Sequence, residues 1–237
     1  MDLINGKRNK MDKISFVIPC FNNEENIDDL FHALFKNEKQ FSDVDFEYVL
    51  VDDASEDRTF EILTYWQKKL PEKIKLLQLK KNIGSHKAVF RCLPTTTGDC
   101  VIVMAADLQD PPEFSVQLYN EWKKGSWLVL AVKDNTPPLM SKLFHLIMKN
   151  LFVTTAPNST FDYTLFDQSL IIRLQEKSVK NCNLFYRLVD LHPKFTILRY
   201  TKQERKKGKS GWTFSKKVLF FIENIFCYSI SSLKIAK

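Results

Sequence analysis

Four short polar stretches follow apolar runs in this chain: Pro19-Cys20-Phe21-Asn22-Asn23-Glu24, Asp52-Asp53-Ala54-Ser55, Asn82-Ile83-Gly84-Ser85 and Asp107-Leu108-Gln109-Asp110. Three of the four carry carboxylates. A carboxylate at such a place can accept hydrogen bonds from the base or ribose of a nucleotide. Carboxylate and amide oxygens together can hold Mg²⁺ or Mn²⁺, which keeps few protein ligands and takes the rest of its shell from phosphate and water. A metal and nearby lysines then stabilise a departing diphosphate. Taken alone, the stretch at 51–55 reads equally well as a helix N-cap built on Asp52, Asp53 or Ser55. Three acidic stretches together favour a binding crevice. Other chemistries lack their residues. The position after the first apolar run is PCFNNE, with no glycine, so a GxGxxG dinucleotide turn is absent, and no GxxxxGK[ST], HExxH or GxSxG occurs. His32, His86, His145 and His192 show no ligand spacing and read as surface or packing residues.

The elements that must position these stretches alternate along the chain. Ile14–Ile18, Phe46–Val51, Ile74–Leu79, Val101–Met104 and Leu128–Val132 are strand-like runs. Between them, Ile27, Leu30, Phe31, Leu34 and Phe35 recur at helical spacing, as do Phe60, Leu63 and Trp66. Ser85–Leu93 and Leu139–Val153 read as further helices. Continuous apolar strands alternating with helices predict an α/β fold with a mostly parallel sheet covered on both faces. In such sheets ligands bind beyond the carboxyl ends of the strands, where the polar stretches fall.

With 237 residues, 44% hydrophobic and 27% charged, the chain has apolar material for one α/β domain and is not a disordered type. Six glycines exclude collagen-like sequence. The longest apolar runs resemble Val218–Ile222, far short of the ~18 residues a membrane span needs. No charged-then-apolar leader opens the chain, so no signal peptide is expected. The five cysteines are odd in number and lack CxxC pairing, and read as reduced thiols in a cytosolic compartment. The net charge of +7 is concentrated. Between Thr201 and Lys217 stand Lys202, Arg205, Lys206, Lys207, Lys209, Lys216 and Lys217 against the single anion Glu204. Such a cluster attracts phosphate, nucleic acid or anionic lipid. The apolar face from Val218 to Ile230 that follows makes an interfacial element of the pair; a solvated loop and a core-packing terminal helix are the plain alternatives. The expected organisation is a loose arm at 1–12, a main domain at 13–200 and a basic segment with an amphipathic helix at 201–237.

The segments ISFVIPCFNNEENI (14–27), YVLVDDASEDRT (48–59), LKKNIGSHKAVF (79–90), GDCVIVMAADLQDPPE (98–113), FDYTLFD (161–167) and RKKGKSGW (205–212) resemble, in order, the motifs of glycosyltransferase family 2, which has the glycosyltransferase-A type fold. The likeness is greatest to the polyprenyl-phosphate sugar transferases, the group containing dolichyl-phosphate mannose synthase. It implies inverting transfer of a sugar from a nucleoside-diphosphate sugar to a polyprenyl-phosphate-type acceptor. A transferase acting on a sugar hydroxyl in surface polysaccharide synthesis and a non-catalytic nucleotide-sugar-binding member are the alternatives. By the same resemblance, Pro19, Phe21, Asn23, Val51, Asp53, Ala106 and Lys133 line the nucleotide. Asp107 and Gln109 hold Mg²⁺ or Mn²⁺, Arg205 contacts diphosphate or acceptor phosphate, and Asp162 stands on the acceptor side. An anionic membrane surface is an expected partner and nucleic acid is not. The expected location is cytoplasmic, peripheral at the inner face of the membrane.

This chain departs from the pattern where the family writes DADLQDPPE, because Ala105 replaces the first carboxylate of the metal pair. Gly211 replaces the Lys of the RxxGxSK motif, although Lys209 is near, and Lys133 and Lys142 stand where relatives place Arg. Arg to Lys loses bidentate phosphate recognition. Three changes in one ligand shell predict altered metal or diphosphate handling: weak metal affinity, an unusual donor or lost catalysis.

Overall fold

A computed structural model describes residues 11–134, 139–176, 183–192, 194–205, 207 and 214–235. The first ten residues of the expected arm lie outside the described residues, as do Lys206, Lys209, Gly211 and Cys182.

The elements follow in the order β1 (Asp12–Cys20), α1 (Ile27–Glu38), β2 (Val44–Asp52), α2 (Thr59–Lys69), β3 (Ile74–Gln78), α3 (Ser85–Cys92), β4 (Cys100–Val103), α4 (Ser115–Lys123) and β5 (Leu128–Lys133). They continue with α5 (Leu139–Leu151), β6 (Tyr163–Asp167), α6 (Ser169–Glu176), α7 (Leu184–Leu191), β7 (Thr196–Tyr200) and α8 (Phe214–Ile235). The seven strands form one sheet in the order β3-β2-β1-β4-β6-β5-β7, with β6 antiparallel to both neighbours and the other pairs parallel. This is the mostly parallel sheet that strand–helix alternation predicts.

Period-two alternation sorts each strand between two cores. Val17, Val49, Val51, Val101, Val103, Leu128 and Leu130 face a cluster completed by α3, α5, α6 and α7 and by Tyr228 of α8. Phe16, Ile18, Tyr48, Leu50, Ile102 and Val129 face the other way, toward α1, α2 and α4. That second core is aromatic: Phe31 stacks on Trp66 with ring centroids 4.7 Å apart, and Phe16 on Tyr48 at 5.7 Å.

One expectation on the cysteines needs correcting. Cys20, Cys92 and Cys100 are free and buried, but Cys227 on α8 is disulfide-bonded, so the chain does not hold five reduced thiols. Disulfide pairing depends on which Cβ atoms meet in space, which sequence spacing does not report.

Candidate active site

The chain runs from β1 outward to β2 and β3, then returns to β4 on the opposite side of β1. Loops leaving β2 and β4 therefore diverge and open a crevice above β1, the switch point where ligands bind in open α/β sheets. β1 pairs with β2 as far as Cys20–Asp52, but with β4 only as far as Val17–Val103. Pro19 lies in the stretch that β4 has left. The Met104 N–H reaches the Val17 carbonyl, and by alternation the imide nitrogen of Pro19 turns to the same side, so the ladder loses no bond to it.

The loops of this rim are tied to one another. The Asn22 N–H donates to Ser55 Oγ at 3.0 Å, and the Glu56 N–H to Asn22 Oδ1 at 2.9 Å. The Phe21 N–H donates to Asn23 Oδ1 at 2.8 Å, and the Asn23 N–H to Thr59 Oγ1 at 2.7 Å. Asn23 thus shapes its own turn. Asn22 (φ 51°), Ala54 (φ 59°) and Leu108 (φ 57°) adopt the left-handed conformation that non-glycine residues seldom take. All three sit in crevice loops, as strained residues at functional sites do.

Asp53 is 2% exposed, and its two carboxylate oxygens accept the N–H groups of Ile83 and Gly84, each at 2.8 Å. The stretch after β3 is thereby fastened to the stretch after β2. Gly84 (φ 88°) supplies the left-handed backbone this junction requires. Neither Asp52 nor Asp53 caps α2, which starts at Thr59 with the Thr59 N–H held by Asp57 Oδ1 at 2.9 Å. The capping reading of that stretch does not hold. Val51 is fully buried and Ala106 is 3% exposed, so both side chains lie beneath the crevice floor.

After β4, Asp107 Oδ1 accepts the Gln109 N–H at 3.1 Å, and Asp107 Oδ2 pairs with Arg205 Nη2 at 2.5 Å. The Gln203 N–H donates to the Gln109 carbonyl at 2.9 Å, so the strand end after β7 is stitched along this loop. Asp110 is 3% exposed and accepts the Tyr200 hydroxyl proton. It is turned under the loop and does not stand in for the carboxylate missing at Ala105. Burial pushes the Asp110 carboxyl up, against the pull of Lys133, Tyr200 and Lys202. Lys133 ends β5 in register with Tyr200, and Lys202 lies beside it. Burial, and then the neighbouring Lys133, push the Lys202 ammonium down despite Asp110 and Asp107. The sequence puts Lys133 on the nucleotide and counts Lys202 only within the basic cluster, since no motif marks its place beside Lys133.

Asp162 precedes β6, whose antiparallel sense brings that end to the same rim. It acts electrostatically on His86, His145, Tyr186 and Tyr200. His145 Nδ1 lies 2.6 Å from the Tyr186 hydroxyl, and burial pushes this imidazole down, with Asp162 opposing. His86 packs on Phe220 and Phe185, and its buried Nδ1 has no hydrogen-bond partner among the described residues. His32 and His192 are packing residues as expected, on Trp66 and Trp127. His86 and His145 instead border the site, which only the folded arrangement reveals. A separate hollow lined by Gly125, Trp127, His192 and Phe195 opens at the amino ends of β5 and β7, at the opposite edge of the sheet from Asp53, Asp107 and Lys133.

Sheet order and switch-point crevice define the glycosyltransferase-A type fold, and comparison with known proteins agrees. The glycosyl transferase family 2 model matches residues 15–174, so the chain belongs to that family. It is 26% identical over 231 residues to the bactoprenol glucosyl transferase of Shigella phage SfX, covering 94% of this chain and 74% of that one. It is 37% identical over 119 residues to the dolichol-phosphate mannosyltransferase of Pyrococcus furiosus, covering 50% of this chain and 32% of the other. Among solved structures, the glucosyl-3-phosphoglycerate synthase of Mycobacterium tuberculosis, in complex with Mn²⁺, uridine diphosphate and glucosyl-3-phosphoglycerate, superposes with a TM-score of 0.63 at 15% identity. That match covers 92% of this chain and 80% of that one.

Proposed function

We propose that this chain transfers a sugar, with inversion, from a nucleoside-diphosphate sugar to a polyprenyl-phosphate-type acceptor. The observation that carries the reading is that the strand ends bearing Asp53, Asp107, Lys133 and Asp162 lie along one edge of the sheet, with Arg205 paired to Asp107, in a family 2 fold. The relatives named for bactoprenol and dolichol phosphate support the acceptor class. Asp53, Pro19, Phe21 and Asn23 form the base and ribose side. Lys133 and Arg205 face the diphosphate. The acceptor oxygen attacks the anomeric carbon as the bond from that carbon to the diphosphate breaks, and the electron pair leaves with the diphosphate. A lipid phosphate, with a second pKa of ~6, is already largely dianionic at neutral pH and needs no strong general base. Asp162 is then an electrostatic neighbour of the acceptor rather than its base.

A divalent cation on Asp107 and Gln109, the Mg²⁺ or Mn²⁺ that the family likeness implies, fits this donor set poorly. Ala105 offers no side-chain oxygen, Asp110 is turned away, and Asp107 is paired with Arg205. Among the described residues no group of three His, Cys, Asp or Glu is placed to hold a metal.

The chain is proposed to work at a membrane surface. Leu139, Leu143, Leu146 and Leu151 are exposed on α5, and Leu219, Ile222 and Phe226 on α8. The two helices are joined by Phe144 against Phe220 and Phe221 and by Phe152 against Tyr228. The α8 part of this apolar surface follows the basic segment in sequence, as in an interfacial element. No described helix is long and apolar enough to cross a membrane.

The test is sugar transfer from UDP- and GDP-sugars to a short polyprenyl phosphate, with native protein and Asp107→Ala. Transfer by the native chain and its loss in the variant are expected. Nucleotide binding without transfer to any lipid phosphate would overturn the reading in favour of a binding member.

A further inference from the structure

On the diphosphate side of the crevice three cations, Lys133, Lys202 and Arg205, meet among Asp107, Asp110 and, at the same rim, Asp162. Both carboxylates of the loop after β4 are engaged by the strand end after β7, Asp107 by Arg205 and Asp110 by Tyr200. Lys133 and Lys202 remain, half-buried and side by side. Two ammonium groups held together away from bulk water repel each other, and folding gains nothing from the arrangement. An anion with a charge on each of two linked phosphates relieves the repulsion between the two lysines. Arg205 belongs to the same cluster. Asp107 orients its guanidinium, a planar fork whose donors match phosphate oxygens. The main-chain bond from Gln203 to Gln109 holds the two segments in place.

We infer that Lys133, Lys202 and Arg205 bind the sugar-nucleotide diphosphate directly, and that the chain neutralises its leaving group with these cations in place of a divalent ion. Asp107 is then a positioning residue for Arg205 rather than a metal ligand, and Lys202 is a diphosphate-binding residue that no motif marks. The inference rests on the nucleotide-sugar reading above and deepens it.

Calorimetric titration with UDP, GDP and the corresponding nucleosides, in chelator and in excess Mn²⁺, separates the two claims. The preferred nucleoside diphosphate is expected to bind in chelator within threefold of its affinity in Mn²⁺. Lys202→Ala should weaken it at least tenfold and the nucleoside less than twofold, and Lys202→Arg should restore most of the loss. Lys133→Gln serves as an independent second variant, with the same expected direction. Binding that needs Mn²⁺, or that is indifferent to both lysines, overturns the inference while leaving the nucleotide-sugar reading intact. No binding of either diphosphate in chelator or Mn²⁺ overturns that reading and the inference with it.

Discussion

The two ends of the sheet handle buried charge in opposite ways. Toward the amino ends, Glu47 is 1% exposed and fully partnered. It accepts from Ser15 Oγ at 2.6 Å, from the Thr97 N–H, and from Thr97 Oγ1 at 2.7 Å, and pairs with Lys75 at 2.9 Å and Lys13 at 3.5 Å. At the carboxyl ends, Lys133 and Lys202 are set against each other beside carboxylates already in use. A satisfied buried charge pins strands together, whereas a surplus of one sign marks where a ligand supplies the balance.

The largest expected effect is at the satisfied end. Glu47→Ala leaves the Ser15 hydroxyl and the Thr97 N–H and hydroxyl without their buried acceptor and should cost about 2–4 kcal/mol in urea unfolding. A loss below about 1 kcal/mol would break the contrast. The same group sets an acid limit. Burial alone would raise its pKa, but the bonds from Ser15, Thr97 and Lys75 outweigh burial and hold it at about 2. Because the folded value is depressed, this stabilisation is fully present above the unfolded carboxyl range near 4.5 and fades as pH falls toward about 2. Glu47→Gln should flatten that part of the stability–pH profile.

Gly98 is next in size. A Cβ there would lie 2.7 Å from the Ser15 nitrogen and 2.8 Å from the Lys13 carbonyl oxygen, both backbone atoms that cannot swing aside. Gly98→Ala should cost about 1–3 kcal/mol by prying β1 from the start of β4, measured as a drop in thermal midpoint. Tyr200→Phe removes the hydroxyl that Asp110 accepts from and should cost about 1–3 kcal/mol of stability. The smallest expected effect falls on the crevice. Lys202→Ala should change stability by no more than about 0.5 kcal/mol, since it removes a repulsion along with some stem packing. A loss above about 1 kcal/mol would make Lys202 a structural residue and sharpen the comparison against the diphosphate role.

Much of the first half was legible because its signals are local. Strand runs and helical spacing locate β1 to β5 within a few residues, and the polar stretches after them do form one rim. The strands β6 and β7 were not foreseen. Each is five residues long, and β6 is antiparallel and buried on both faces, so it carries neither alternation nor the βαβ rhythm. His86 and His145 read as packing residues because nothing near them in sequence shows their neighbour Asp162.

Sequence by itself determined the order of elements as far as α5, the polar rim and the loss of a carboxylate at Ala105, since these depend on residue type and short spacing. Tertiary structure alone decided that Asp110 turns under its loop toward Tyr200, and that Arg205 reaches Asp107 across 98 positions of chain. It also placed Lys202 beside Lys133. These are long-range pairings of charge, set by which strand ends the sheet brings together, and no local pattern encodes them.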